Sequence, residues 1–423
     1  MSPHEVRLPI AVAATKLSPL EQDPLYYLQK ILFSPDGSRF LLIDVSKRIA
    51  IYSSPTDVLN YQNLEYLQVC KPFSRVKVGE CVRDVDWFPW MRSDDPPTCA
   101  FITCCKDLPV LLWDGCDGSY RCSYCAYNRC DELSSPYSVR FSSFGDKIFC
   151  GFYRRLCIFD TQRPGRDFDE YFLSSGQGPP LKGIVSCIDH KMDEPYYIAL
   201  GTFSGVVGLA DFRVHQGSCF LQATMKAHHG GITTVRFVPG SSTLLVAGAR
   251  KDDDIVVWDI RNTNKVMYRL SRKSDTNQRI GLDMDSSGKF LCSGGTDGLI
   301  RLWSLQSGRL LMSWYASRWS VSSVSWNPYS PFLASCSGQR CFPSNWNNAQ
   351  KNQYVEQWNP LLGFDNLSNN SSSSSNNNNN NRNEQEQDNL TNHPQATMEE
   401  DHFVYRNKIA ALWYFDRETL SLL

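Results

Sequence analysis

One pattern recurs along the chain. An apolar run is followed by a polar turn containing Gly or Pro, a second apolar run, a short turn, and a third run ending near an aromatic residue. Copies occupy 27–53, 82–114, 136–160, 183–211, 231–259 and 279–304. Near their ends stand Tyr52, Trp113, Phe159, Ala210, Trp258 and Trp303, separated by 61, 46, 51, 48 and 45 residues. A unit of that length has room for four short strands. A small twisted sheet cannot bury both its faces alone, so each unit has to pack against its neighbours.

A period near 40–50 residues with Trp-Asp closing a strand reads as the blades of a WD-repeat β-propeller. A seventh copy starts at SVSSVSWNPYSPFLASCSGQR (320–340), but its third strand is missing where it is due. The chain instead runs into NNSSSSSNNNNNNRNEQEQDN (369–389), which cannot build a core. The apolar NKIAALWYFD (407–416), with Trp413, reads as the delayed third strand; a separate C-terminal tail is the alternative. VRLPIAVAAT (6–15) can then supply the outer strand and close the ring, leaving no open sheet edge. The expectation is one all-β, seven-bladed propeller over 1–423. A closing strand lies at about 5–15, blades at about 27–364 and 403–416, and a disordered insertion at 365–402.

Composition fits that fold. Hydrophobic residues are 42% and aromatics 12%, with no run of about 18 apolar residues to span a membrane. The first twenty residues lack the charged start and long apolar core of a secretory signal. Most of the 16 cysteines lie in apolar runs, such as Cys150 and Cys292, and read as reduced, buried thiols of an intracellular protein. Net charge is −1, but residues 365–401 hold seven acids and one base, leaving +5 elsewhere.

The basic residues cluster at one kind of loop. Turns between second and third strands hold Lys47, Arg48, Lys106, Arg154, Arg155, Arg250, Lys251 and Arg340. Loops leading into first strands add Lys77, Arg129, Lys182, Lys226, Arg272, Lys273, Arg279 and Arg318, with Tyr127, Tyr153 and Trp319 among them. Both kinds share one face. The first-to-second turns, SPDG, MRSDD, SFGD, KMDEP and MDSSG, lie on the other face and are richer in acids. A basic face with interleaved aromatics fits single-stranded RNA. A solvated surface on a protein-only adaptor is the competing reading. In GARKDDDIVVWDIRN (248–262), Asp252, Asp253 and Asp254 read as closing the hairpin and holding Arg250 and Lys251.

Other candidates are structural. Cys122 and Cys125, with Cys116 nearby, have a spacing that permits zinc, but alternating strand cysteines explain them and no metal site is expected. His228 reads as bonded within its own blade. Trp113, Trp258, Trp303 and Trp413 read as blade anchors. Neither a nucleophile nor paired carboxylates accompany His228, and there is no Gly-rich phosphate loop, so no enzyme and no cofactor are expected.

Several runs go beyond propeller patterning. AYNRCDEL (126–133), FDTQRPGRD (159–167), GIVSCI (183–188), HHGGIT (228–233), GARKDDDIVVWDIR (248–261), TNQRI (276–280) and ASCSGQRCFP (334–343) resemble the telomerase Cajal body protein family over roughly residues 5–416. The resemblance implies a monomeric propeller without catalytic activity. It would bind the localisation box of H/ACA-type small Cajal body RNAs and escort them to Cajal bodies in the nucleus, with some protein in the cytoplasm. Telomerase RNA and H/ACA ribonucleoprotein proteins are further implied partners. The matched turns are Arg250 and Lys251; Asn277, Gln278 and Arg279; and Gln339 and Arg340. The loop sorting adds Arg154, Arg155, Tyr127, Arg129 and Trp319. Arg163 and Arg166 fall on the opposite face by that sorting. The chain starts almost at the propeller, without the long acidic N-terminal region frequent in the family.

Overall fold

The computed structural model describes residues 8–15, 27–55, 68–173, 181–212, 221–226, 228–338 and 410–415. The insertion expected at 365–402 lies outside them, as do Gln339 and Arg340. Among the described residues, seven sheets of four or five strands are arranged as propeller blades, beside one two-stranded hairpin.

Blade 1 is Leu28–Phe33, Arg39–Asp44, Arg48–Ser53 and Ser74–Lys77. Blade 2 is Val82–Trp87, Ala100–Cys105, Val110–Asp114 and Tyr120–Tyr124. Blade 3 is Ser138–Phe141, Lys147–Gly151, Arg155–Asp160 and Phe168–Phe172. Blade 4 is Val185–His190, Tyr197–Thr202, Val206–Asp211 and Leu221–Lys226. Blade 5 is Ile232–Phe237, Leu244–Ala249, Asp254–Asp259 and Val266–Ser271. Blade 6 is Leu282–Met284, Phe290–Gly294, Leu299–Ser304 and Leu310–Tyr315.

Blade 7 joins the two ends of the chain. Val321–Trp326 pairs with Phe332–Ser337, which pairs with Ala410–Tyr414; Ile10–Thr15 then pairs antiparallel with Ala410–Tyr414. The delayed third strand and the N-terminal closing strand are therefore both present. A fifth strand was not foreseen: Gln68–Cys70, from the long loop of blade 1, pairs in parallel with Ile10–Thr15. Three distant segments thus lace the closure together.

The anchors hold equivalent places. Tyr52, Trp113, Phe159, Ala210, Trp258, Trp303 and Trp413 oppose Phe40, Phe101, Ile148, Ile198, Leu245, Leu291 and Leu333 across the second and third strands. Trp258, Trp303 and Trp413 are buried, each withdrawal from water contributing about 2–3 kcal/mol. Their indole N–H groups find partners where second strands offer hydroxyls: Trp113 donates to Thr103 Oγ1 (2.9 Å) and Trp413 to Ser335 Oγ (2.8 Å).

The innermost strands carry an alternating charge ring. The residue before each strand's last position is Leu32, Asp86, Arg140, Asp189, Arg236, Asp283 and Ser325 in blades 1 to 7. Arg140 bridges Asp86 (2.8 Å) and Asp189 (3.1 Å), and Arg236 pairs with Asp283 (2.9 Å). The acids also accept the next blade's backbone, Asp86 from Phe141 N–H, Asp189 from Phe237 N–H and Asp283 from Trp326 N–H. Seven is odd, so strict alternation cannot close. The uncharged pair Leu32 and Ser325 meets at the seam, where Phe33 N–H donates to Ser325 Oγ (3.1 Å).

Buried thiols line the blades as expected of small hydrophobes. Burial pushes Cys105, Cys157, Cys187 and Cys336 up to about 12, leaving them protonated and unreactive at neutral pH. Among the described residues no three His, Cys, Asp or Glu side chains converge as metal ligands.

Candidate nucleic-acid interface

Second-to-third turns and the loops leading into first strands lie at the same ends of the strands. Their contacts form a continuous chain along one face. Arg154 N–H donates to Gly183 O (2.9 Å), and the neighbouring Lys182 O accepts from Ser204 Oγ (2.8 Å). The guanidinium of Arg250 lies 4.3 Å from the ring centre of Phe203. Lys251 N–H donates to Thr276 O (3.1 Å), and Gln278 Nε2 donates to Gly338 O (2.9 Å). The GARK and TNQR turns are thereby joined, and the second reaches the residue before Gln339.

The turn backbone is unusual in a repeated way. The left-handed position of these turns is Lys47, Asp107, Arg154 and Lys251, at φ 65°, 56°, 57° and 52°, where blades 4 and 6 use Gly205 and Gly298. A side chain there costs about 1 kcal/mol relative to the right-handed region. Strain of this kind persists where the surroundings fix it and tends to gather at functional sites. Arg154 and Lys251 are exposed at these positions.

The aspartates of the GARKDDD hairpin hold other groups than expected. Asp252 accepts from His228 Nδ1 (3.0 Å), His229 N–H (3.0 Å) and Asp254 N–H (3.1 Å). Asp253 accepts from Ser274 N–H (2.7 Å), and Asp254 pairs with Arg269 (3.0 Å). None holds Arg250 or Lys251. Burial would raise the Asp252 carboxyl, but these bonds outweigh it and keep it below the ordinary carboxylate range. His228 is buried edge-on to Trp258 (6.0 Å), and burial lowers its imidazole below the usual value. Gly230 is required beside it, since a Cβ there would lie 1.7 Å from Arg250 O.

Several basic residues are committed elsewhere. Arg272 is buried between blades 5 and 6, donating to Ser293 Oγ (2.6 Å), Ile280 O and Ala249 O; burial lowers it to about 10. Its place in the exposed basic set is corrected. Arg279 turns into the central channel and pairs with Asp84 (3.2 Å). Arg155 pairs with Glu170 in its own blade and stacks over Phe152. Lys47 pairs with Glu80 and Lys106 with Asp107. Among the described residues, Arg154, Lys182, Lys226, Lys251, Lys273 and Arg318 are exposed and meet no acid. Asn277 is exposed, and Trp319 is half-buried beside Ser317.

Tyr127 and Arg129 come from a separate loop, and Arg129 reaches Phe172, the cross-strand partner of Arg155. They sit on a small hairpin, Ala126–Tyr127 paired with Leu133–Ser134, that the repeat pattern did not signal. Arg166 lies 3.7 Å from the Tyr127 ring centre and pairs with Asp131 (3.1 Å), and Arg129 lies over Phe172 (5.7 Å). The sorting that put Arg166 opposite Tyr127 is therefore corrected. AYNRCDEL and RPGRD form one unit, stitched by Cys125 N–H to Gly165 O (2.7 Å) and Gly165 N–H to Ser123 O (3.0 Å).

Comparisons with known proteins agree with this fold. The family model for the WD domain, G-beta repeat, matches residues 219–259, and that for the anaphase-promoting complex subunit 4 WD40 domain matches residues 240–328. The chain is 34% identical over 348 residues to Telomerase Cajal body protein 1 of Mus musculus, covering 79% of this chain and 63% of that protein. It is 33% identical to the Homo sapiens protein of the same name (77% and 59%). It is 34% identical to the Drosophila melanogaster Telomerase Cajal body protein 1 homolog (74% and 57%). The chain spans about three-fifths of the length of these relatives.

Proposed function

Starting from the chain's membership of the telomerase Cajal body protein family, we propose that it is a non-catalytic RNA-binding scaffold. Its ligands are H/ACA-type small Cajal body RNAs, recognised through their localisation box and delivered to Cajal bodies in the nucleus. Telomerase RNA and H/ACA ribonucleoprotein proteins are further partners on this reading. The observation that carries it is the continuous arc from Arg154 to Gly338. It joins the GARK and TNQR turns, and exposed cations that meet no acid among the described residues flank them. Such cations can exchange solvent ions for phosphates, and Tyr153, 62% exposed beside Arg154, offers a ring for base stacking.

Crosslinking in cells followed by RNA sequencing tests the reading. Enrichment of H/ACA-type guide RNAs is expected, with contact sites mapping to Arg154, Lys251 and Lys273. Recovery at background level would overturn it in favour of a protein-only adaptor.

A further inference from the structure

The face opposite the basic arc has its own character. Its first-to-second turns expose Trp90 (61%), Phe144 (61%) and Met192 (73%) in three consecutive blades, 2 to 4. The corresponding turns of blades 5 and 6 are Pro239–Gly240–Ser241 and Ser286–Ser287–Gly288, with no large apolar residue. Large apolar side chains gathered at one part of a surface mark a place of contact, and Trp and Met are enriched at interface centres.

These turns are fixed rather than loose. Ser93 N–H donates to Asp36 Oδ2 (2.8 Å), tying the blade 2 turn to blade 1. Gly145 lies so close to Phe88 that an added Cβ would meet its ring at 2.4 Å, so the Phe144 turn rests on the Trp90 turn. Phe88 packs edge-on against Phe141 at 5.5 Å beneath it. Trp90 and Phe144 stand exposed above these contacts.

Charge says what would cover them. Arg92 is neutralised by Asp94 (2.6 Å), Lys191 by Glu194 (2.5 Å) and Lys147 by Asp160 (3.2 Å). That leaves Asp36, Asp95, Asp146 and Asp193 around the patch, with no cation in ion-pair range among the described residues. Such a surface repels nucleic acid and attracts guanidinium groups, which also stack on exposed aromatic faces.

We propose that the turns of blades 2 to 4 form a docking surface for an arginine-rich protein segment that also carries apolar side chains. Trp90, Phe144 and Met192 take the apolar side chains, and Asp95, Asp146 and Asp193 pair with the arginines. The propeller is then two-sided, with nucleic acid on one face and a basic protein segment on the other. This assignment stands independently of which RNA binds the arc.

Fluorescence anisotropy on the full chain tests it with two labelled synthetic peptides. Both share the same Phe and Gly positions; one carries Arg and the other Glu between them. The Arg peptide should bind and the Glu peptide should not. Binding should weaken about tenfold, or 1.4 kcal/mol, in Trp90→Ser/Phe144→Ser and again in Asp95→Lys/Asp193→Lys. Tyr329→Ser, in the same turn of blade 7, should change nothing, and excess single-stranded RNA should not compete. No binding of the Arg peptide, equal binding of both peptides, or competition by RNA would overturn the proposal. So would concentration-dependent dimerisation abolished by Trp90→Ser, because the occupant would then be a second copy.

Discussion

Arg279 places its guanidinium 3.2 Å from Asp84 across the central channel, and Lys30 reaches the same carboxylate at 2.8 Å. One acid in blade 2 therefore holds blade 1 and the loop before blade 6. Burial would raise the Asp84 carboxyl, but Lys30 and Arg279 outweigh it and keep it below the ordinary range. Removing one partner of a buried network strands the others. Asp84→Asn is expected to cost about 3–5 kcal/mol in urea unfolding, because two cations then share a neutral amide. A loss below about 1 kcal/mol would mean that the channel is solvated enough to screen them.

Closure of the ring depends on the N-terminal strand. Val12 and Ala13 are buried against Phe40 and Leu412 in one core cluster. Val12→Asp buries a charge without a partner and should lower stability by several kcal/mol, read as a fall in the thermal midpoint. Deleting residues 1–15 should go further and make unfolding less cooperative, since blade 7 loses its outer strand and the Gln68–Cys70 strand loses its only partner in the described sheet.

His190 stands where other innermost strands end in Phe33, Trp87, Phe141, Phe237 or Trp326. It is buried, its Nδ1 has no hydrogen-bond partner among the described residues, and burial lowers its imidazole to about 4. The folded state thus binds its proton less readily than the unfolded state. The stability this contributes is fully present above pH ~6.5 and is lost as pH falls toward about 4, amounting to roughly 3 kcal/mol. His190→Phe should flatten the stability profile over that window while leaving stability at pH ~7.5 equal or higher. A profile of unchanged steepness would assign the acid sensitivity to other groups.

At the hairpin, structural and binding roles separate within two residues. Asp252 accepts three hydrogen bonds, so Asp252→Ala should cost about 1–3 kcal/mol by thermal unfolding. Lys251 is exposed at φ 52°, a conformation Gly adopts without strain. Lys251→Gly should change stability by less than about 1 kcal/mol in either direction.

The propeller was readable because its period is set by burial. A blade needs an apolar residue at each place where sheets stack, so Trp113, Trp258 and Trp303 could be found from spacing, and Trp413, off the period beyond the Asn/Ser run, from the apolar run that carries it. The sorting of loops into two faces follows from antiparallel connectivity and also held for the Arg250, Lys251 and Asn277 turns. Side-chain commitments were not readable. Arg272 and Lys273 are neighbours with the same charge, yet one is buried against Ser293 and the other is exposed. Only the direction of the backbone at that point decides between them. The Asp252–His228 bond joins residues 24 apart, and no local pattern shows that it displaces a bond to Arg250. The pairing of Tyr127 with Arg166 likewise depends on how the edges of blades 2 and 3 meet.

Salt-dependent binding of an H/ACA-type small Cajal body RNA to the wild type and to Arg154→Gly/Lys251→Gly bears on the basic arc without disturbing the fold. Both residues lie in left-handed positions and meet no acid among the described residues, so the variant should remain folded. The arc as a phosphate track requires weaker binding and a log–log salt slope shallower by roughly 1.4, two phosphate contacts fewer on a single strand. Unchanged affinity and slope in a folded variant would contradict RNA recognition by this face.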